Sequence, residues 1–312
     1  MNTATRVAGF AVALAAVFAL ALGVGKAFGP DAEPAPTAHD SHAADEAGAP
    51  RPASAGSADI PGGLMVSQDG YTLALGQSSA AAGADVPVRF TITGPDGEPV
   101  TAYDVAHDKQ LHLIAVRRDF TGFQHVHPEL SPDGTWSTAL DLTGGQWRLF
   151  ADFKATGADA LTLGADLAVA GGYRPEPPAG DSRSSEVDGY TVTLGGDLAA
   201  GADAELTLSV ERDGEPVTDL EPYLGAYGHL VALRSGDLAY LHVHPDGTPE
   251  DGTTRPGPDI VFQAAVPSTG TYHLYLDFKH RGVVRTAGVT VSADGTVAAS
   301  PTADSDDGHT DH

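Results

Sequence analysis

The chain contains no cysteine, only two methionines and 7% aromatic residues, and its 17 Lys and Arg are outnumbered by 42 Asp and Glu. Without cysteine there are no disulfides, no thiolate metal ligands and no thiol nucleophiles. With Met1 and Met65 as the only thioethers, methionine-rich copper(I) sites are excluded as well. A net charge of −25 repels phosphate backbones and attracts cations, so a nucleic-acid role is excluded. Any ion this protein holds must be held by histidine and carboxylate.

Long apolar stretches are scarce, and the exception stands at the amino terminus. In MNTATRVAGFAVALAAVFALALGVGKAFGP, Arg6 precedes an apolar or small-residue run from Ala8 to Gly25. As a helix that run would measure about 27 Å, close to one bilayer core. Residues 1–29 therefore read as a signal-anchor or transmembrane segment with its amino terminus inside, the rest being exported to the extracytoplasmic side of the cell membrane. Cleavage after Ala27, which would secrete the protein, is the alternative. Residues 30–63 are rich in Ala, Pro, Ser and Asp without apolar periodicity and read as a disordered stalk; residues 294–312 read as a tail of the same kind. His39, His42, His309 and His312 in these tracts neighbour aspartates; such tracts can bind metal weakly, but chance in polar segments is the preferred reading.

Between these ends the chain repeats itself. DGYT at Asp69 recurs at Asp188, DGEPVT at Asp96 recurs at Asp213, HLIAV at His112 recurs as HLVAL at His229, and HVHP at His125 recurs at His242. QWRLFADFK, ending at Lys154, matches TYHLYLDFK, ending at Lys279. The colinear order makes this one domain present twice, over residues 64–170 and 187–293, joined by a Pro/Gly/Ser-rich linker at 171–186. Each copy has short alternating or β-branched segments punctuated by Gly, Asp and Pro turns, and neither shows an amphipathic helix. The expected fold is all-β: two tandem antiparallel β-sandwiches of immunoglobulin-like or cupredoxin-like type after the N-terminal transmembrane helix.

The histidines carry the chemistry. If residue 117 pairs with 122 across a hairpin, paired positions sum to 239, which sets Ile114 opposite His125 and His112 opposite His127. Alternation then puts His112, His125 and His127 on one face, about 5–8 Å apart, within reach of a single ion. His229, His242 and His244 keep the same spacing in the second copy. Asp152 and Asp277, at matching positions in the closing DFK strands, would complete a His₃Asp set in each, with Glu129 and Asp246 competing for that role. His273 and His280 are extra in the second copy and rank below the matched set. Nitrogen and oxygen donors favour copper(II) first and zinc(II) second.

The stretches QLHLIAVRRDFTGFQHVHPEL, WRLFADF, LGAYGHLVALRSGDLAYLHVHP and TYHLYLDFKHRGVVRTA, with DGYT and DGEPVT before them, resemble a family of bacterial exported or membrane-anchored proteins loosely labelled heavy-metal-binding. The resemblance spans Met65 to about Ala293 and implies a role in extracytoplasmic metal homeostasis, with no established catalytic activity. The reading is thus a metal-binding protein with one site per repeat, buffering or delivering copper(II) or zinc(II), with a metal-transport protein as a partner. The competing reading is a non-catalytic cell-surface scaffold or adhesion module whose histidines are structural. HVHPE also has a superficial likeness to a cupin ligand run, but the second copy reads HVHPD and no catalytic motif accompanies either.

Overall fold

In a computed structural model the described residues are 60–176, 180–241 and 243–296. The N-terminal apolar segment, nearly all of the stalk, His242 and the C-terminal tail lie outside them. Among the described residues there are strands, turns and loops and no helix.

The first repeat contains β1 (Ser67–Gln68), β2 (Tyr71–Leu75), β3 (Ser79–Ala81), β4 (Gly83–Thr93), β5 (Leu111–Arg117), β6 (Gln124–Val126), β7 (Glu129–Leu130), β8 (Thr135–Leu142), β9 (Gly145–Lys154) and β10 (Ala160–Ala170). The second contains β11 (Ser184–Val187), β12 (Tyr190–Gly195), β13 (Leu198–Ala200), β14 (Asp203–Arg212), β15 (Glu215–Pro216), β16 (Gly228–Arg234), β17 (Tyr240–Leu241), β18 (Val243–Pro245), β19 (Asp259–Ala265), β20 (Gly270–His280) and β21 (Val283–Thr296). Each repeat is a sandwich of two sheets. The first has orders β1-β2-β4-β8-β7 and β3-β10-β9-β5-β6; the second has β11-β12-β14-β19-β18, with β15 on β14, and β13-β21-β20-β16-β17. Pairing is antiparallel except at the short edge strands β3 and β13, which lie parallel to β10 and β21. The second repeat extends a little past the expected boundary, since β21 runs to Thr296.

The two sheets of a repeat differ in what covers them. Strand β4 alternates as expected for a sheet wet on one side, with Val88, Phe90 and Ile92 buried and Arg89 exposed. Strand β5 is buried on both faces. Leu111, Leu113 and Ala115 enter the first repeat's own core with Trp136, Trp147 and Phe153, whereas Ile114 and Val116 join Phe150, Val231, Leu233, Leu238, Tyr240 and Tyr275 in a separate cluster drawn from both repeats. The inner sheets, β3-β10-β9-β5-β6 and β13-β21-β20-β16-β17, thus pack against each other through the residues that alternate away from their own cores.

This contact is isologous. Phe123 stacks on Tyr275 with centroids 4.0 Å apart, and Tyr240, the counterpart of Phe123, meets Phe150, the counterpart of Tyr275, at 5.9 Å. Exchanging the repeats returns the same pairs, which is the signature of a local twofold. The Tyr275 hydroxyl donates to the Phe120 carbonyl at 2.6 Å. Gly62 and Gly63, read from sequence as the end of the stalk, belong to the folded body. The Gly63 amide donates to the Thr162 carbonyl, the Tyr240 amide donates to Gly62, and Arg148 Nε and Nη2 both donate to Gly63 O. A side chain at Gly164 would collide with that same Gly63 carbonyl, so the close approach requires glycine.

Ile114 is fully buried at the centre of the contact between repeats. Ile114→Ala is expected to cost about 2–4 kcal/mol and to split a single calorimetric unfolding transition into two, because the lost atoms couple the repeats rather than fill either core. His273 lies at the same contact, stacked 3.8 Å from Phe120, with Nε2 3.0 Å from Ser235 Oγ and Nδ1 3.3 Å from Thr290 Oγ1. Burial pushes its pKa from 6.5 down to about 4. The unfolded chain therefore takes up this proton first, so the stability held above about pH 6.5 is lost as pH falls toward 4, by at most about 3 kcal/mol. Urea unfolding at pH 7 and pH 4.5 should show His273→Gln losing less on acidification than the unsubstituted protein.

Candidate metal centre

The histidine hairpin has the register expected from its sequence: Leu113 pairs with Val126, Ile114 with His125 and Ala115 with Gln124. That register aims His125 to the same side as His112 and Ile114, out of the first repeat's core and toward the second. In the second repeat β17 joins β16 in the equivalent register, Ala232 with Leu241 and Leu233 with Tyr240. The chain then leaves that sheet: β18 pairs with β19 in the other sheet, setting His244 opposite Gln263. His244 is exposed there and does not stand beside His229 as His127 stands beside His112.

What the fold assembles is one cluster spanning both repeats. His112 and His229, equivalent by the repeat, stack across the twofold with centroids 5.3 Å apart and planes 15° from parallel. His125 lies 5.2 Å from His112 and 4.7 Å from His229, and His127 lies 5.0 Å from His112. His112, His125 and His127 each offer a ring nitrogen within 4.8 Å of the other two; His125, His229 and Asp277 offer a second such group. His112 and His229 are 4% and 9% exposed, and the side chains of His125 and Asp277 only 2% and 3%. Among the described residues the converging atoms are thus the expected set His112, His125 and His127 and a second set joining His125 to His229 and Asp277, while His242 of the second expected set lies outside the described residues.

Hydrogen bonds assign the tautomers. His112 Nε2 donates to the Ala106 carbonyl at 3.1 Å, which leaves Nδ1 with a lone pair. His125 Nδ1 donates to Asp277 Oδ2 at 2.7 Å, and Asp277 Oδ1 accepts from Thr286 Oγ1. His125 Nε2 lies 3.0 Å from that His112 Nδ1 lone pair, and a neutral His125 ring would turn a second lone pair toward it. Two lone pairs cannot face each other at that distance without a proton or a cation between them. His127 Nε2 and His229 Nδ1 are buried and have no hydrogen-bond partner among the described residues. Burial, reinforced by His125, lowers His112 to about 4 and His127 to about 3, and it takes His229 well below its usual value. Neutral, desolvated imidazoles with free lone pairs are what a borderline metal ion binds.

Asp152 faces His112 across β5 and β9 as Asp277 faces His229 across β16 and β20. Unlike Asp277 it belongs to neither group of converging ligand atoms. Its Oδ1 accepts from Thr162, and burial pushes its pKa up to about 6. Its twofold mate Asp277 reaches across to His125; position 242, the mate of His125, lies outside the described residues. Glu129 is exposed on β7, in the outer sheet, Asp246 is exposed beyond β18, and His280 bonds the Tyr190 hydroxyl in the second repeat. Sequence matching missed His107, which lies 6.1 Å from His112 and 5.7 Å from His229. It has no histidine at the equivalent position, 224, so comparison of the copies could not find it.

These features define a tandem β-sandwich protein with a buried polyhistidine cluster between its repeats. The chain belongs to the family described as "Domain of unknown function (DUF8832)", whose model matches twice, over residues 66–170 and 185–295. That description carries no heavy-metal label. No curated protein matches the chain. Among solved structures, the Escherichia coli adhesin FdeC is 16% identical, with 73% of this chain and 65% of that one covered and a TM-score of 0.26. The Yersinia pseudotuberculosis adhesin InvE is 13% identical over 71% of this chain and 58% of that one, TM-score 0.23. Invasin, a bacterial integrin-binding protein, is 14% identical over 72% of this chain and 39% of that one, TM-score 0.23. The chain thus spans less than two thirds of the length of each of these three.

Proposed function

We propose that this is an exported protein that binds one copper(II) or zinc(II) ion between its two repeats and buffers or delivers it outside the cytoplasm. The observation carrying this reading is the convergence of His112 Nδ1 and His125 Nε2 at 3.0 Å, with the opposite nitrogen of each ring already committed to Ala106 O and Asp277. An ion bonding each imidazole at about 2.0–2.1 Å sets their nitrogens about 3.3 Å apart, which small ring rotations from these positions supply. His127, whose ring nitrogen lies within 4.8 Å of theirs, extends the donor set to three, and His229, grouped in the same way with His125 and Asp277, stands beside it. Asp277 would act as the carboxylate that orients a ligating histidine, and Ala106 O would serve His112 in the same way. Bound there, the ion would neutralise facing lone pairs and tie the repeats together. Copper(II) heads the order of affinity for such a set. Export rests on the N-terminal apolar segment, and catalysis forms no part of this reading.

A second reading has its own observation. With a proton on His125 Nε2 instead of an ion, His125 and Asp277 form a buried ion pair that bonds His112, and the cluster becomes a polar clamp in a cell-surface scaffold. The two readings differ in what copper does. Titration of the full-length protein in glycine buffer, which competes away weak binding by the polar His/Asp tracts, should give one tight copper(II) per chain. At 100 times its dissociation constant the ion should add about 2.7 kcal/mol to stability. His125→Ala should abolish both effects. A melting curve indifferent to copper and to chelator would leave the scaffold reading.

A further inference from the structure

His107 lies at the rim of the cluster in a conformation that calls for explanation. The Ala106–Lys109 turn is closed by paired backbone hydrogen bonds, the Ala106 amide to Lys109 O at 2.8 Å and the Lys109 amide to Ala106 O at 3.1 Å. Both central residues, His107 and Asp108, have positive φ, 49° and 62°. Two-residue turns of this kind favour glycine and asparagine. The second repeat builds the same turn from Tyr223 to Ala226, with Leu224 and Gly225 in the centre at φ 56° and 75°. One turn therefore ends in a buried leucine, 4% exposed, and the other in an exposed histidine. The asymmetry breaks the local twofold at one place beside the cluster.

The exposed ring is aimed inward as well as outward. It stands edge-on to His229 at 83° and to His112 at 68°, so it touches the two stacked rings from the solvent side. The carbonyl preceding it, Ala106 O, holds His112 Nε2, which links this turn to a ring of the cluster. Asp108 beside it adds a negative charge at the rim of an acidic protein, where cations collect.

We propose that His107 is the exchange ligand through which a divalent transition-metal ion passes between solvent-side chelates and the buried imidazoles. This rests on the metal-binding reading above. His107 would hold the ion on one side while the departing chelate still holds the other, so that it would pass to the imidazoles behind, His112 or His229, by exchange of one dative bond at a time. Such a ligand speeds loading and removal equally and leaves the equilibrium where it was.

The test is His107→Asn in the full-length protein, since asparagine keeps the positive-φ turn while removing the imidazole. Copper(II) is offered as its glycine complex and withdrawn with EDTA, and both are followed by the absorption of the copper–imidazole centre. Loading and withdrawal should each slow by about tenfold, equivalent to about 1.4 kcal/mol on the exchange barrier. One copper per chain and an unchanged dissociation constant should persist. Unchanged rates would overturn the assignment, as would a weakened dissociation constant with faster release, which would make His107 a resident ligand. If the unsubstituted protein takes up no copper, the metal reading falls and this assignment with it; normal uptake with unaltered exchange in the variant defeats only the role of His107.

Discussion

Burial of both faces of the inner sheets is the constraint on which everything else depends. A strand in a sandwich normally offers alternate residues to its core and to water. In β5, β9, β16 and β20 the second set is turned to the other repeat, so any polar side chain there must find a partner within the contact or pay for desolvation. The aromatic pairs Phe123–Tyr275 and Phe150–Tyr240 fill one part of it. The histidines and aspartates at the ends of the same strands fill another, and the geometry that makes them costly to bury also makes them converge.

The repeat and the hairpin register were legible because both are local. Offsets of 117 between matched motifs need only the chain itself, and a turn closed between residues 117 and 122 sets Ile114 opposite His125 by counting. Which repeat the second face meets is not a local matter. HLIAV, RLFADF and HLYLDF read as short strands, but their nearly continuous apolar character is also the mark of burial on both sides, and that mark does not say what covers the second face. Read one repeat at a time, the ligands divide into two sets of four. Seen across the twofold, His229 and Asp277 come to the histidines of the first repeat.

The departures between copies follow from the same twofold. An isologous contact places equivalent residues near its axis next to each other, as with His112 and His229, and sends those further away to opposite ends. His244 shares its motif with His127, but β18 joins β19 directly after position 242, and this carries the residue to the outer sheet. His107 was invisible for the converse reason: it has no counterpart, and a histidine at the tip of a two-residue turn carries no periodic signal. Only its backbone conformation and its neighbours identify it.

A cluster at an interface couples binding to assembly in a way that a site inside one sandwich cannot. The histidines on β5 and the hairpin after it belong to one repeat, and His229 on β16 and Asp277 on β20, which bonds His125, belong to the other. An ion held by this cluster, as proposed, would add its binding energy to the apolar contact around Ile114 and Val231, and opening of that contact would part His125 from Asp277 and His229. The apolar contact orders the rings beforehand, so an ion bound as proposed would meet donors already oriented and cost little ordering entropy. Preorganisation also explains the tautomers. Ala106 O and Asp277 each engage one nitrogen of a ring, which turns the other nitrogens of His112 and His125 toward each other, where a proton or a cation would bridge them.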